Sequence, residues 1–197
     1  MEEQMIRTRK GELRKRFRAA RTALTDDEYA RKSAAIAQRI EALPELKAAQ
    51  TVHCYWPHAG RREVDTRELT DRLCATGRTV VLPVVTAFAG APTMAHRCYE
   101  GRAALKKNRW GLYEPTGTDA VPPEGIDLVV VPAFGAGRNG HRIGHGFGYY
   151  DAFLQSLDAV TVCPVYQACL VETVPAEAHD VPLSILVTEE ETFRPST

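Results

Sequence analysis

Apolar residues recur at two periods along this chain, and the change of period divides it. From the start to about residue 45 the spacing is helical. Leu13, Phe17 and Ala20 fall on one face among Lys10, Arg14, Lys15, Arg16 and Arg18. Thr25 followed by Glu28 is a capping-box signal, and it opens a second helix with Ala30, Ala34, Ala37 and Ile40 along one stripe, ending near Pro44. Beyond that point short apolar runs alternate with helical stretches. Thr51–Trp56 reads as a strand stopped by Pro57, Thr66–Ala75 as a helix with Leu69 and Leu73 inward, and Thr79–Leu82 as a strand stopped by Pro83. Met94–Tyr99 is a candidate third strand. Leu128-Val129-Val130-Val131 has no polar alternation, which predicts a strand covered on both faces. A helix is expected over Tyr149–Leu157, then strands at Val160–Cys163 and Leu183–Val187. The segment from Val85 to Pro123, rich in Pro and Gly, is expected to hold a small excursion with loops. The alternation predicts an α/β three-layer single domain, with a central mostly parallel sheet flanked by helices. Residues 1–45 form its N-terminal helices and residues 46–190 its α/β core.

Composition narrows the function without naming it. The 197 residues are 44% apolar and 25% charged, as in ordinary globular proteins. Twenty-five Lys and Arg balance twenty-five Asp and Glu. This zero net charge gives no bulk attraction to nucleic acid or to an anionic membrane, so any anion must be held by a local cluster. The longest largely apolar run, Leu128–Phe134, is far short of the ~20 residues that span a bilayer. The start, Met1-Glu2-Glu3-Gln4, is polar and carries no apolar leader. Five cysteines (Cys54, Cys74, Cys98, Cys163, Cys169) form no C-x-x-C pair, which favours reduced thiols in the cytoplasm over a zinc site or a disulfide scaffold.

Six of the fourteen glycines lie between Gly135 and Gly148, directly after the most apolar strand and before a helix. Successive N–H groups in such a turn can converge on one anion, and glycine lets a ligand approach the backbone. The spacing Gly144-x-Gly146-x-Gly148 matches neither the dinucleotide nor the Walker pattern. A tight structural turn explains the glycines equally well until Arg142 and Asp151 are counted. A cation and a carboxylate flanking the turn suit a polyphosphate with its magnesium ion.

The run Arg142-Ile143-Gly144-His145-Gly146-Phe147-Gly148-Tyr149-Tyr150-Asp151 resembles the signature of the 5-formyltetrahydrofolate cyclo-ligase family. Lys10-Gly11-Glu12-Leu13-Arg14, Glu63-Val64-Asp65-Thr66, Trp110-Gly111-Leu112-Tyr113-Glu114-Pro115, Gln167 and His179-Asp180-Val181-Pro182-Leu183 resemble further motifs of that family, in its order. The resemblance runs from Lys10 to about Thr188. From the residues themselves, no heptad or exposed apolar helix face argues for more than a monomer, and the charge balance argues for no nucleic-acid or membrane partner. The resemblance implies an enzyme that uses ATP and Mg²⁺ to cyclise 5-formyltetrahydrofolate to 5,10-methenyltetrahydrofolate. The formyl oxygen would attack the γ-phosphate, and N10 would then displace phosphate. Such phosphoryl transfer needs positioning and charge neutralisation rather than a protein nucleophile.

By the same resemblance Lys10, Arg14, Arg142 and the turn Gly144, His145, Gly146, Phe147, Gly148, Tyr149 and Tyr150 would hold ATP. Arg142, Tyr149 and Tyr150 would act in catalysis, with one tyrosine toward the ligand and the other in the core. Trp56, Glu63, Trp110 and Tyr149 would bind the folate, and Asp151 and Asp180 the metal. The chain departs from the pattern at Ala136-Gly137, where the family has Phe-Asp, at Ser184, where it has Asp, and at His145, where Tyr or Arg is frequent. Those departures motivate the alternative of a non-catalytic folate- or nucleotide-binding paralogue. An unrelated sugar-phosphate or CoA enzyme would leave Glu63, Trp110 and His179-Asp180 as coincidences.

Overall fold

Thr25 caps its helix as its spacing predicts: Oγ1 accepts the Glu28 N–H at 3.2 Å, and the Glu28 carboxylate accepts the Thr25 N–H at 2.9 Å. This helix belongs to a computed structural model that describes residues 1–87, 93–117 and 119–195. Three helices lead, α1 (Glu2–Thr22), α2 (Asp26–Ala42) and α3 (Pro44–Ala48). There follow β1 (Thr51–His53), α4 (Arg67–Ala75), β2 (Thr79–Ala87), β3 (Thr93–Cys98), β4 (Leu105–Lys107), β5 (Tyr113–Pro115) and β6 (Leu128–Val130). The glycine-rich segment contributes β7 (Gly135–Gly137) and β8 (Arg142–Ile143) before α5 (Tyr149–Leu154). The chain closes with β9 (Val160–Pro164), β10 (Leu170–Val171), β11 (Ile185–Val187) and β12 (Thr192–Phe193).

Seven strands form the main sheet in the order β12-β11-β9-β6-β1-β2-β3. The five inner strands are parallel, and β3 and β12 close the edges antiparallel. The unbroken apolar run of β6 lies at the centre, and its residues alternate between the faces. Leu128 and Val130 join Phe17, Ile36, Ile40, Leu69 and Leu73 from α1, α2 and α4. Val129 and Val131 join Phe153 and Leu154 from α5. Each such side chain contributes roughly 1.5–3 kcal/mol by leaving water. Helices therefore cover both faces, which is the three-layer α/β architecture.

Several elements differ from expectation: β1 ends at His53 and not at Trp56, and β11 begins at Ile185 and not at Leu183. β2 does not stop at Pro83 but runs through it to Ala87. Val81 turns its carbonyl toward β1, where it accepts the Cys54 N–H at 2.9 Å. Pro83, two residues on, faces the same side beyond the end of β1, where no ladder donor is required. The next residue of that set, Val85, donates instead to the Glu114 carboxylate at 3.0 Å. The helix expected over Tyr149–Leu157 ends at Leu154. The excursion after β2 contains β3 and the β4–β5 hairpin, whose tip carries Trp110.

The second face buries an unusual polar group. His53 is fully buried, and neither ring nitrogen has a hydrogen-bond partner. It lies 5.2 Å from His96 and 5.1 Å from Phe153, centroid to centroid. Burial, then the His96 ring, pulls its pKa down to about 3. The folded state thus refuses a proton that the unfolded chain accepts near pH 6.5. The stability this neutral ring contributes is complete above that pH and is lost as pH falls below it, at about 1.4 kcal/mol per pH unit. Urea titrations between pH 7 and 5 are expected to include this slope alongside those of His145 and His96, whose pKa values are also lowered, and His53→Phe is expected to reduce the total slope.

Candidate functional site

Helix α1 is the spine of the site. Lys10, Arg14, Phe17 and Arg21 follow one another at intervals of four, three and four residues, which puts them on one helical face. Each meets a different part of the chain. Lys10 Nζ donates to Glu177 Oε2 at 2.8 Å and to Asp180 Oδ2. Arg14 Nε donates to the Gly144 carbonyl at 2.9 Å. Phe17 seals against Gly135, where a Cβ would lie 2.5 Å from its ring and 2.3 Å from the Cys169 carbonyl oxygen. Arg21 donates to the carbonyls of Arg61, Arg62 and Ala133. The expected proximity of α1 to the glycine turn is therefore present.

The turn is hung on Arg142. This guanidinium, nearly buried on β8, donates to Asp151 Oδ1 at 2.9 Å and to the Val181 carbonyl at 3.2 Å. Val181 returns its N–H to the same Asp151 oxygen at 3.3 Å. One ion pair thus ties β8, the first turn of α5 and the segment after Asp180. Gly146 and Gly148 have φ of +92° and +75°, which L side chains rarely adopt. A Cβ on Gly144, by contrast, would meet nothing within 4 Å. Its glycine leaves open space above the backbone instead of relieving a contact within the fold. Since α5 is one and a half turns long, its dipole adds little, and the positive field here comes from side chains.

Those side chains surround His145. Burial, followed by the charges of Arg61, Arg21, Arg18 and Arg14, pulls its pKa down to about 4. Arg61 Nη1 donates to His145 Nε2 at 2.8 Å, which requires a neutral ring with its proton on Nδ1. Glu63 is buried beside it, with Oε1 3.9 Å from His145 Nε2 and Oε2 accepting the His58 N–H at 2.8 Å. The Trp110–Gly111 turn comes to the same place, since a Cβ on Gly111 would lie 3.8 Å from His58 Nε2. Trp110 is exposed and carries Arg109 4.1 Å from its ring centroid. Trp56 is more enclosed and packs on Tyr99 at 5.6 Å. Of the two tyrosines, Tyr150 turns inward, with its ring 5.8 Å from His53 and its hydroxyl buried without a partner. Burial holds that hydroxyl well above its ordinary pKa, so it is a poor acid at neutral pH. Tyr149 stays half-buried, 6.3 Å from the exposed Phe147.

Asp151 and Asp180, the two carboxylates expected to share one metal, are each engaged by the chain itself, Asp151 by the Arg142 guanidinium and Asp180 by the Lys10 ammonium. Asp180 Oδ2 also accepts the Glu177 N–H at 2.7 Å. Burial raises the Asp180 pKa, but that backbone bond and Lys10 outweigh it and hold the carboxyl below its ordinary range. Glu177, His179 and Asp180 do converge, but Lys10 bonds both of the carboxylates among them. The sequence reading missed Arg21, Arg61 and Arg18. Extending the Lys10–Arg14 interval along the helix would have found Arg21.

Of the departures from the family pattern, His145 sits within this cluster, whereas Gly137 and Ser184 are engaged by other parts of the fold. A Cβ on Gly137 would be 2.3 Å from Asn139 Oδ1, and Asn139 binds the Val174 backbone through both amide atoms. Ser184 bonds Thr161 at the β9–β11 boundary, Oγ to Oγ1 at 3.1 Å. Among the described residues neither Gly137 nor Ser184 hydrogen-bonds Asp151 or Asp180.

Comparison with known proteins agrees with the fold and the motifs. Residues 6–189 match the model of the 5-formyltetrahydrofolate cyclo-ligase family. The chain is 31% identical over 177 residues to the 5-formyltetrahydrofolate cyclo-ligase of Escherichia coli (strain K12), covering 87% of this chain and 96% of that one. The enzyme of the same name from Mus musculus is 24% identical over 192 residues, covering 92% of each. The 5,10-methenyltetrahydrofolate synthetase of Aquifex aeolicus superposes with a TM-score of 0.82 at 30% identity, over 95% of this chain and 93% of that one. By motif, model and relatives alike, the chain belongs to the 5-formyltetrahydrofolate cyclo-ligase family.

Proposed function

We propose that the chain converts 5-formyltetrahydrofolate and ATP to 5,10-methenyltetrahydrofolate, ADP and phosphate, in the space between α1, the glycine turn and Glu63. The observation that carries this is Arg14 bonded to the Gly144 carbonyl of a turn that Arg142 and Asp151 flank and whose Gly144 leaves the backbone open. The formyl oxygen attacks the γ-phosphorus as the bond to ADP breaks. N10 then adds to the activated carbon and loses its proton, and phosphate leaves with the former formyl oxygen. The chain's part is charge and position. Arg142, Arg14, Lys10 and the backbone from Gly144 to Tyr149 receive the triphosphate. Buried Glu63 accepts hydrogen bonds from the folate, and Trp110 stacks on its rings. Tyr149 is the tyrosine that reaches ligand, while Tyr150 and Trp56 support the wall.

A magnesium ion fits one carboxylate here, because Mg²⁺ usually takes one or two from the protein, with phosphate oxygens and waters completing its shell. Asp151 is the ligand we assign, and Asp180 instead fixes Lys10. When bound, the ion neutralises charge on the β- and γ-phosphates. The chain works as a cytoplasmic monomer with small molecules as its partners. In support of that compartment, its five thiols are unpaired.

Mixing the protein with MgATP and 5-formyltetrahydrofolate is expected to raise near-ultraviolet absorbance as the methenyl product forms. No change would refute the reaction. Gly144→Ala is expected to keep the wild-type melting temperature, since its methyl meets open space. The same methyl blocks the backbone to phosphate, so KM for ATP should rise about tenfold, the equivalent of one lost charge-assisted hydrogen bond.

A further inference from the structure

We infer that Arg21 is a positioning residue that sets the folate side of the site by holding residues 61–63 in register with the glycine turn. The inference rests on the reading of Glu63 as a folate contact. Arg21 is 2% exposed, yet no carboxylate pairs with it among the described residues. Its donors go to backbone instead: Nε to the Arg62 carbonyl at 2.9 Å, Nη1 to the Ala133 carbonyl at 3.2 Å and Nη2 to the Arg61 carbonyl. Its guanidinium lies 4.9 Å from the Phe134 ring centroid, and His145 lies 4.7 Å from the same ring.

A buried charge is tolerated only where its hydrogen bonds are satisfied, and here three carbonyl dipoles do so. The carbonyls come from two separate segments. One leads to Glu63, and the other is the exit of β6 into the glycine-rich region. The guanidinium fork therefore fixes one segment against the other. The backbone at the held point is strained. Arg62 has φ +49°, the one left-handed residue other than glycine among those described. Arg62 accepts the Arg21 hydrogen bond through its own carbonyl, and Glu63 is the next residue. Strain of this kind persists where surrounding contacts impose it, and it gathers at binding sites. Arg61, on the other flank, spends its side chain on His145 of the turn. Arg21 thus acts through Arg62 on Glu63 and leaves the triphosphate contacts to Arg14 and Arg142. Lysine, a point charge with one nitrogen, cannot reproduce the fork.

Calorimetric binding of 5-formyltetrahydrofolate and of ATP, measured separately, tests this. Arg21→Lys is expected to weaken folate binding at least tenfold while changing ATP binding less than twofold. Adding Arg62→Gly is expected to recover most of the loss, because glycine adopts a positive φ without help. Equal losses for both ligands, or no recovery in the double variant, would overturn the inference. Should Arg21→Lys fail to fold, Arg62→Val against Arg62→Gly decides. Both remove the same side chain with its Asp26 contact, but valine resists a positive φ. The inference requires weaker folate binding in the valine variant alone, and equal affinities would sink it. Wild-type protein that binds both ligands without forming methenyl product would refute the functional reading and leave this test standing.

Discussion

Arg142→Met is expected to lower kcat/KM for ATP by about 100-fold or more, with KM for 5-formyltetrahydrofolate changed little. A hydrogen bond from a charged donor is worth about 1.5–3 kcal/mol, so the loss of contacts to a triphosphate reaches that factor. A second cost accompanies it. Asp151 Oδ1 lies 2.9 Å from the Arg142 guanidinium, and methionine would leave that half-buried carboxylate without its cation. Removing one partner of such a pair costs more than the pair itself is worth. Arg142→Lys keeps the charge but loses the bond either to Asp151 or to the Val181 carbonyl, so it should recover only part of the activity. Asp151→Asn keeps the shape but leaves the buried Arg142 guanidinium without its anion, so turnover and melting temperature should both fall. Steady-state kinetics with each substrate varied in turn separates these outcomes. If both KM values rise together for Arg142→Met, the residue is structural and the triphosphate lies elsewhere.

Local signals in the sequence are legible where the physics is local. Thr25 and Glu28 lie three residues apart and bond one another, so the start of α2 is readable from spacing alone. The β6 run, apolar at every position, shows by composition that both its faces are covered. Pro83 misleads because its effect depends on where a neighbouring strand ends, and that neighbour is some thirty residues away in the chain. The site follows the same rule. Arg142 and Asp151 are nine residues apart, and their association is visible in one motif. Lys10 and Asp180 are separated by 170 residues, and nothing local tells that an ammonium expected on phosphate meets a carboxylate expected on metal. Tyr149 and Tyr150 differ only in which way a six-residue helix points them. That direction follows from His53 on β1, against which Tyr150 packs together with Phe153 of α5 itself.

Gly135→Ala is expected to be the most destabilising single methyl in the glycine-rich segment. Its Cβ would lie 2.3 Å from the Cys169 carbonyl oxygen and 2.5 and 2.6 Å from two atoms of the Phe17 ring. Neither neighbour can yield. The carbonyl is main chain at the entrance to β10, which pairs with β7, and Phe17 is fully buried beneath α1. Relief therefore requires α1 to move as a body away from β7. Overpacking of this kind costs about 3 kcal/mol or more, which for a chain of this length lowers the melting temperature by roughly 10 °C. The displacement has a functional consequence too. Arg14 and Arg21 flank Phe17 on the same face of α1, so a helix pushed outward carries both guanidiniums away from the turn and from residues 61–63. Gly135→Ala should thus lose affinity for both substrates along with stability, whereas Gly144→Ala, nine residues on, should lose ATP affinity alone. Thermal melts and paired KM measurements on the two variants check this directly. A wild-type melting temperature for Gly135→Ala would show that α1 is not held by this contact, and the helix could then not serve as the spine that aligns the site.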